Sequence, residues 1–555
     1  MSTSPRNNLL EGHAGEHALA VFANYDIETM WTLSGAHVFP LYDAATKADP
    51  PMRLVDVRHE QTAVFGAEAT AKLTRRPGLA VVTAGPGVTN AVSGVAQAFF
   101  NGVPLLTVGG RAPQFRWGAG ALQELDHPPI LAPITKRSTT ARTAAEVAGV
   151  MDEALQVALA SHRGPVFVDV PMDELYSRAE VAIPERTPRE RISPDPEDLT
   201  SVAALLADAE RPILVLGSDV WMDEAEAAAV RFADETGVPV ITNGMGRGVL
   251  PRGHRQLVTR ARSHAFNNAD LVLVAGTPLD FRLGFGVFGG KAQSPARVVH
   301  LTDAPSQLAE HVQLAASAAG DLTLVFDGVL SALQQELRRP AAEPWLETLR
   351  AGVSAAIERD APLLAATNDP IHPARIYGEL LPLLADDAVI IGDGGDFVSW
   401  AGKFVEPRRA GCWLDPGPYG CLGAGAGAAA AARIARPSSQ VVLLYGDGAA
   451  GLSLLDVDTL VRHQLPVVMI VGNNGAWGLE KHPMRFLYGY DVAADLRADT
   501  GYDAIVRALG GAGETVTRPD EIGSALRRAF DSGIPYLVNV LCDPEVAYPR
   551  STTGV

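Results

Sequence analysis

Two short polar motifs, each directly after an apolar run, could together hold a divalent cation. The first is Gly446-Asp447-Gly448, and the second, Asn473-Asn474, follows after 24 residues. A carboxylate oxygen and an amide oxygen suit Mg²⁺, which prefers oxygen ligands and usually shares them with a phosphate. The glycines would let backbone N–H groups approach that phosphate. Gly-Asp-Gly alone is typical of an ordinary turn, but the two motifs at this spacing favour a site for a metal and a phosphate.

A second set of residues could bind or move a proton. Arg58-His59-Glu60 precedes a helix-like run, and the turn sequence Thr83-Ala-Gly-Pro-Gly-Val-Thr-Asn90 follows it. Glu60 is followed by Ala, Val and Phe residues, and burial among them would disfavour its charged form. The alternative is a glutamate that caps a helix or lies on the surface.

Two Gly-rich loops complete the candidate chemistry. One is Gly392-Asp-Gly-Gly395, which follows an apolar run, and the other is Leu414-Asp-Pro-Gly-Pro-Tyr-Gly-Cys-Leu-Gly423. The second loop carries one bulky apolar residue, Leu422, among its glycines. It could contact a ligand, or it could simply pack at the start of a helix.

Three blocks of the chain alternate short Val, Ile and Leu runs with Ala-rich helical stretches, and these elements must position the motifs. The pattern predicts the α/β fold class, with three doubly wound parallel-sheet domains. We place them at 1–185, 195–335 and 360–555. Ligands of such sheets bind beyond the carboxyl ends of the strands. The motifs above stand at these ends.

Together the motifs resemble the fingerprint of thiamine diphosphate (ThDP) enzymes, in an order that covers essentially the whole chain. The resemblance implies a pyrimidine-binding domain, a central domain and a diphosphate-binding domain. It implies that Asp447, the Asn474 side chain and the Ala476 carbonyl hold Mg²⁺. It also implies that Glu60 hydrogen-bonds the aminopyrimidine ring and promotes the tautomer that activates the cofactor.

The same resemblance implies further cofactor contacts. Those beside the diphosphate or the thiazolium are Gly395, Asp396, Phe397, Gly448, Ala449 and Trp477. Those beside the pyrimidine are Pro86, Asn90 and the Gly420 carbonyl. Leu422 would separate the two rings, at a position where many relatives carry Met.

Three features indicate the reaction. Gly120–Asp126 resembles a loop that bears an active-site Gln, here Gln123, whereas oxalyl-CoA decarboxylases tend to have Tyr-Glu there. Ala261-Arg-Ser-His-Ala and the loop 414–423 resemble the CoA-dependent members. We therefore expect a 2-hydroxyacyl-CoA lyase that cleaves a substrate such as 2-hydroxyisobutyryl-CoA to formyl-CoA and an aldehyde or ketone. The alternatives are an acetolactate synthase-like enzyme acting on 2-keto acids, and then an oxalyl-CoA decarboxylase.

Cationic side chains are needed for the phosphates of CoA, which Arg recognises through paired contacts. The candidates are Arg262, Lys403, Arg408 and Arg409, with solvated or weakly paired surface charges as the alternative. His37 is a candidate base for the substrate hydroxyl, and a packed or capping histidine is equally compatible with its sequence context. The proton donor for the carbanion stays open.

Composition excludes several other classes. A net charge of −18 without a basic block argues against nucleic acid or an anionic membrane surface as a partner. No apolar run reaches the roughly 18 residues of a membrane span, and the first residues lack a signal-peptide pattern. Three cysteines without a metal-ligand spacing fit a reducing compartment, so we expect a cytoplasmic protein.

The resemblance also bears on partners. It implies a homo-oligomer, at least a dimer and commonly a tetramer, because the glutamate and the diphosphate site come from different subunits. It leaves open whether the central domain binds ADP or FAD. The polar tail AYPRSTTGV suits a mobile lid over the substrate.

Two other classes fit the sequence less well. Retention of Glu60 together with the Asp447 and Asn474 pair argues against a non-catalytic, cofactor-binding regulator. The glycines at 423–427 could suggest a nicotinamide dehydrogenase. The run is GAGAG rather than GxGxxG, however, and it lacks the expected acidic partner.

Overall fold

The computed structural model describes residues 9–291, 294–335 and 342–549, which form two compact units. Unit 1 contains the chain up to Glu190 together with Tyr419–Pro437 and Ser453–Leu465. Unit 2 contains Arg191–Pro418, Ser438–Leu452 and the chain from Pro466 onward.

Unit 1 is built on a six-stranded parallel sheet with the strand order β3-β2-β4-β5-β7-β6, beside an antiparallel pair of β1 and β8. Its strands are β1 (Leu9–His13), β2 (Thr29–Thr32), β3 (Arg53–Asp56), β4 (Gly78–Val82), β5 (Leu105–Arg111), β6 (Arg137–Thr140), β7 (Pro165–Pro171) and β8 (Arg178–Ala182). Strands β4, β5 and β7 are buried along their whole length. This is why they read as continuous apolar runs.

Unit 2 contains two parallel sheets, with the orders β10-β9-β11-β12-β13 and β15-β14-β16-β17-β19-β18. The first comprises β9 (Pro212–Leu216), β10 (Val240–Thr242), β11 (Leu271–Ala275), β12 (Arg297–Thr302) and β13 (Ala316–Ala319). The second comprises β14 (Val389–Asp393), β15 (Trp413–Leu414), β16 (Val441–Gly446), β17 (Val468–Asn473), β18 (Ala512–Val516) and β19 (Tyr536–Leu541). The predicted fold class of three parallel-sheet α/β domains is confirmed, while the domain boundaries stay predictions.

Helices connect the strands and cover the sheets. They are α1 (Ala14–Asn24), α2 (Phe39–Lys47), α3 (Glu60–Thr74), α4 (Pro86–Phe100), α5 (Pro128–Leu131), α6 (Val147–Leu159), α7 (Met172–Tyr176), α8 (Pro196–Ala207), α9 (Ser218–Met222), α10 (Glu226–Thr236), α11 (Arg262–Asn268), α12 (Leu322–Gln335), α13 (Glu343–Leu364), α14 (Ala374–Leu380), α15 (Asp396–Phe404), α16 (Gly425–Ala435), α17 (Asp447–Ser453), α18 (Val457–Arg462), α19 (Gly478–Tyr488), α20 (Tyr502–Ala508) and α21 (Ile522–Asp531). Among the described residues, none of these helices has the length and apolarity needed to span a membrane. The predicted lid in the tail falls partly on Arg550–Val555, which lie outside the described residues.

The Gly-Ala run at 423–427 has a packing role. It leads into α16, which lies against α3, and a Cβ atom at Gly427 would come within 2.8 Å of the Thr62 carbonyl oxygen and 3.0 Å of the Gly66 nitrogen. Only glycine allows the two helices to approach this closely. The contact explains why residue 427 is glycine, and it packs α16 against the helix that begins at Glu60.

Replacing Gly427 with Val should destabilise unit 1, because the added carbons would meet α3 backbone that cannot move aside. We expect a loss of about 1–3 kcal/mol, typical of an overpacked core. Ala435→Val is the matched control, since Ala435 is half-buried at the end of the same helix. Thermal and denaturant unfolding of both variants measure the difference, and equal stability of the two would contradict the packing role.

Candidate active site

Glu60 is the first residue of α3 and is 7% exposed. The His59 side chain caps the helix by accepting from the Gln61 backbone at 3.1 Å. Asp456 binds on both sides of the glutamate, accepting from the Arg58 backbone N–H at 2.8 Å and from the Thr62 hydroxyl at 2.6 Å. The start of α3, where a carboxylate is favoured by the helix dipole, is therefore fixed in place within unit 1.

The turn after β4 meets this glutamate. Asn90, one turn into α4, donates from Nδ2 to Glu60 Oε2 at 3.0 Å. Pro86 opens the helix, and a Cβ atom at Gly87 would lie only 3.7 Å from Glu60 Oε1. The structure thus brings together Glu60, Asn90 and the Pro86 turn, and their contacts with a cofactor stay a prediction.

Thr83 contacts two further predicted residues of unit 1, His37 and Gln123. Its Oγ1 lies 3.0 Å from His37 Nδ1 and donates to Gln123 Oε1 at 3.4 Å. His37 is 5% exposed, and burial lowers its pKa, partly opposed by a hydrogen bond to the Leu122 backbone. Gln123 has a φ of 60°, an uncommon conformation for a side chain of this size. Thr83 was not singled out from the sequence, although it opens the motif that ends at Asn90.

The loop with Gly420 and Leu422 lies beside α4. Tyr419 stacks on Phe100 with ring centroids 5.1 Å apart, and Cys421 Sγ donates to the Ser93 carbonyl at 3.5 Å. Gly420 has a φ of 72°, which favours glycine. Leu422 is half-buried.

In unit 2, Asp447 directly follows β16 and is 3% exposed. Its Oδ1 accepts from the Gly448 backbone at 3.0 Å, whereas its buried Oδ2 has no hydrogen-bond partner among the described residues. Burial raises the pKa of Asp447 to about 6, and hydrogen bonds from the Gly448, Gly475 and Ala476 backbones oppose the rise. A buried carboxylate oxygen without a donor fits a bound cation, since such groups are rarely left unpaired.

The two asparagines after β17 play different parts. Asn473 is buried, and its Nδ2 donates to Asn539 Oδ1 at 3.2 Å and to the Thr500 carbonyl at 3.3 Å. Among the described residues, the one hydrogen bond to Asn474 Oδ1 comes from the nearby Ala476 N–H, at 3.2 Å. Asn474 therefore keeps acceptor capacity for a ligand, in a turn whose N–H groups also face Asp447.

Glycines around these groups pack closely against neighbouring side chains. A Cβ atom at Gly448 would lie 2.4 Å from the Trp477 ring, and one at Gly395 would lie 2.4 Å from the Leu479 side chain. Asp396 lies beside Gly478, and its Oδ1 accepts from the Tyr548 backbone at 3.0 Å.

Two further predicted residues, Phe397 and Ala449, are buried. Phe397 packs against Gly472, and Ala449 is 1% exposed. The donor set, which combines an orphan carboxylate oxygen, an amide oxygen and backbone N–H groups beside glycines, fits Mg²⁺ with a diphosphate.

The cationic candidates differ in how they are paired. Lys403 lies 3.0 Å from Asp360, and the exposed Arg408 lies 2.9 Å from Asp386. Arg409 is exposed. Arg262 has no ion-pair partner among the described residues; its guanidinium lies 5.0 Å from the Phe266 ring centroid, and burial lowers its pKa to about 10.

Arg247 was missed from the sequence, where it is one Arg in a Gly-rich turn. Its guanidinium lies 4.7 Å from the Trp413 ring centroid and donates to the Gly402 carbonyl at 2.9 Å. It too has no ion-pair partner within the described part of the chain, and burial lowers its pKa. The positive charge of Arg247 further lowers the pKa of Arg262. Arg247 is therefore a second cation that a phosphate could neutralise.

Comparisons with known proteins agree with this geometry. Residues 13–130 match the thiamine pyrophosphate enzyme N-terminal TPP binding domain, residues 199–329 the central domain, and residues 393–540 the C-terminal TPP binding domain.

Full-length relatives carry two different names. A protein named "Probable acetolactate synthase" from Mycobacterium bovis is 46% identical over 543 residues, which is 97% of each chain. Proteins named "2-hydroxyacyl-CoA lyase 2" are 32% identical in Danio rerio, over 95% of this chain and 91% of the relative, and 33% identical in Homo sapiens, over 95% and 90%.

The lowered pKa of His37 predicts a pH effect on stability. The unfolded histidine takes up a proton near its ordinary pKa of about 6.5, whereas the folded one does so only at lower pH. The unfolded state then binds more protons, so stability falls as the pH drops below about 6.5. His37→Gln should flatten this fall, and His264→Gln, at an exposed position, should not. Denaturant unfolding between pH 7.5 and 5.5 measures it (roughly the window that the shift defines), and identical slopes would contradict the prediction.

Proposed function

This chain belongs to the thiamine pyrophosphate enzymes, and from that premise we propose that it cleaves 2-hydroxyacyl-CoA thioesters to formyl-CoA and an aldehyde or ketone. The observation that carries the substrate class is a pair of half-buried guanidinium groups, Arg262 and Arg247, neither of which has an ion-pair partner among the described residues. Relatives named 2-hydroxyacyl-CoA lyase 2 that span almost the whole chain support it.

At the diphosphate end, Asp447 Oδ2, Asn474 Oδ1 and the Ala476 carbonyl would hold Mg²⁺. A cation there would offset the desolvation of the buried Asp447 carboxylate. Backbone N–H groups near Gly448 and Gly395 would bind the phosphates, and the other residues that would contact the cofactor are Ala449, Asp396, Phe397 and Trp477.

At the pyrimidine end, Glu60 would exchange a proton with the ring through a carboxylate oxygen, and Asn90 orients that carboxylate. Pro86 would pack against the ring, the Gly420 carbonyl would accept from its amino group, and Leu422 would separate the two rings. When bound, ThDP supplies a nucleophilic carbon and an electron sink for the bond next to the carbonyl.

Gln123 orients a substrate oxygen, because its amide can donate but does not exchange protons readily. His37 stays the candidate base for the substrate hydroxyl. Burial keeps it neutral near pH 7, the form that can accept a proton. Its contact with Thr83 also ties it to Gln123.

On the CoA side, Arg262 and Arg247 bind phosphate oxygens. Lys403, Arg408 and Arg409 are secondary candidates. Lys403 and Arg408 already pair with carboxylates, and a solvent-exposed cation adds little binding energy. We further propose a homo-oligomer, a dimer at minimum and a tetramer as the expected state. Binding of ADP in the central domain stays a prediction from the sequence.

The second candidate function is acetolactate formation from 2-keto acids. It is favoured by the 46% identity to the mycobacterial protein of that name. It uses the same Glu60, Asp447 and Gln123 and needs no CoA site. The two candidates therefore differ at the substrate end and share the cofactor end.

One assay separates them. The full chain with ThDP and Mg²⁺ is given 2-hydroxyisobutyryl-CoA, a straight-chain 2-hydroxyacyl-CoA or pyruvate in parallel, and products are identified by mass spectrometry. Formyl-CoA from either thioester supports the lyase. Acetolactate from pyruvate without formyl-CoA would replace it with the second candidate.

Glu60→Gln should lower turnover about 10²–10⁴-fold on whichever substrate is accepted, because the amide cannot exchange the proton. The matched control is Glu68→Gln, since Glu68 is a second buried glutamate of α3 that binds Gln97 and Asn101. The control should lose stability with little loss of turnover per folded enzyme. Full activity in Glu60→Gln would contradict a ThDP mechanism.

Asp447→Asn should raise the Mg²⁺ concentration needed for ThDP binding by at least about 100-fold. Even outer-shell changes at metal sites lower the metal affinity by about 10–100-fold. Asp503→Asn is the control, because Asp503 is buried but both its oxygens are already paired with Arg507 and Thr515. Calorimetric titration of ThDP at a series of Mg²⁺ concentrations measures the effect. An unchanged Mg²⁺ dependence in Asp447→Asn would place the metal elsewhere.

A further inference from the structure

We infer that His127 is a positioning residue for the Pro86 turn and for Gln123, acting through the backbone N–H of Gly85. The inference rests on the proposed function, which assigns those groups to the cofactor and the substrate. His127 lies in unit 1, is fully buried, and belongs to none of the motifs that the sequence singled out.

The hydrogen bonds of His127 define one tautomer. Nε2 lies 2.9 Å from the Gly85 nitrogen, and a backbone N–H can only donate, so Nε2 is the acceptor. Nδ1 lies 2.9 Å from Asp169 Oδ2, and it therefore carries the proton and donates it. These two hydrogen bonds hold the imidazole in a single orientation.

Asp169 is itself fixed by donors from other elements. Arg111 donates to its Oδ2 at 2.9 Å, and the Thr140 hydroxyl donates to its Oδ1 at 2.6 Å. Arg111 also binds Asp126 at 2.9 Å, directly before His127 in the chain. Strands β5, β6 and β7 thus hold the carboxylate that orients the ring. A carboxylate that orients a histidine in this way also fixes what the other ring nitrogen can bind.

Gly85 is where this network reaches the candidate site. It has a φ of 57°, and a Cβ atom there would lie 2.9 Å from the Gln123 Cβ. The next residue, Pro86, begins the helix whose Asn90 binds Glu60. Without His127 the Gly85 N–H would be a buried donor with no acceptor, and the turn would shift to find one.

The test compares two substitutions that preserve different halves of the histidine. In His127→Gln, the side-chain amide reaches the place of Nε2 and can accept from Gly85. In His127→Asn, the amide reaches only the place of Nδ1 and meets Asp169. A purely structural role predicts the same loss of stability in both and no difference at the site.

Three readouts are used on the full chain: hydrogen exchange of the peptide that spans 83–90, the ThDP dissociation constant with Mg²⁺, and kcat against KM. We expect His127→Asn to exchange about tenfold faster or more at this turn. We expect it to bind ThDP about tenfold more weakly, with a lower kcat, and His127→Gln to restore most of each loss.

Equal behaviour of the two variants at the turn, or wild-type exchange and ThDP affinity in His127→Asn, would overturn the inference. If His127→Asn does not fold, Arg111→Lys takes its place, since Lys cannot bind Asp169 and Asp126 at once; faster exchange at 83–90 supports the inference, and wild-type exchange overturns it. Exchange and ThDP affinity need no substrate. A wild-type chain that converts neither thioester nor pyruvate would therefore sink the proposed function without deciding this comparison.

Discussion

A carboxylate oxygen buried at the end of a central strand constrains the diphosphate-binding part of this molecule. Desolvating a charged carboxylate costs several kcal/mol unless it is paired, and Asp447 Oδ2 has no donor among the described residues. Strand β16 places it there because β17 runs parallel to β16 with Gly446 opposite Gly472. The same register brings the Asn474 turn to that edge of the sheet. A divalent cation would offset the cost of burying this carboxylate.

The pyrimidine end depends on a different kind of constraint, which is the satisfaction of buried polar groups. Glu60, Thr83 and His127 each carry hydrogen bonds to residues far away in the chain. The bonds of Thr83 and His127 hold the turn after β4, and Asn90 of the helix that follows this turn binds Glu60, so the turn has little freedom. The packing of α16 on α3 then fixes the helix from the other side.

The fold and the cofactor motifs could be predicted from the sequence because they are local. A continuous apolar strand followed by Gly-Asp-Gly, or by Gly-Pro-Gly before a helix, predicts that the motif lies at the carboxyl edge of a sheet. The role of the 423–427 glycines did not follow, because it depends on which helix lies opposite. His127 and Arg247 were missed because each acquires its partners only through the tertiary fold, and no motif or spacing in the sequence predicts those contacts. The ion pairing of the Arg candidates also depends on the tertiary fold. Arg408 and Arg262 look alike in sequence, but of these two only Arg408 has a carboxylate partner within the described chain.

The most direct measurement is a crystal or cryo-electron microscopy structure of the full chain purified with ThDP and Mg²⁺. The account predicts a metal about 2.0–2.1 Å from Asp447 Oδ2 and Asn474 Oδ1, the octahedral distance for Mg²⁺, with a Glu60 carboxylate hydrogen-bonded to the aminopyrimidine ring. A metal or diphosphate bound away from Asp447, or a cofactor that leaves Glu60 paired only with Asn90, would contradict it.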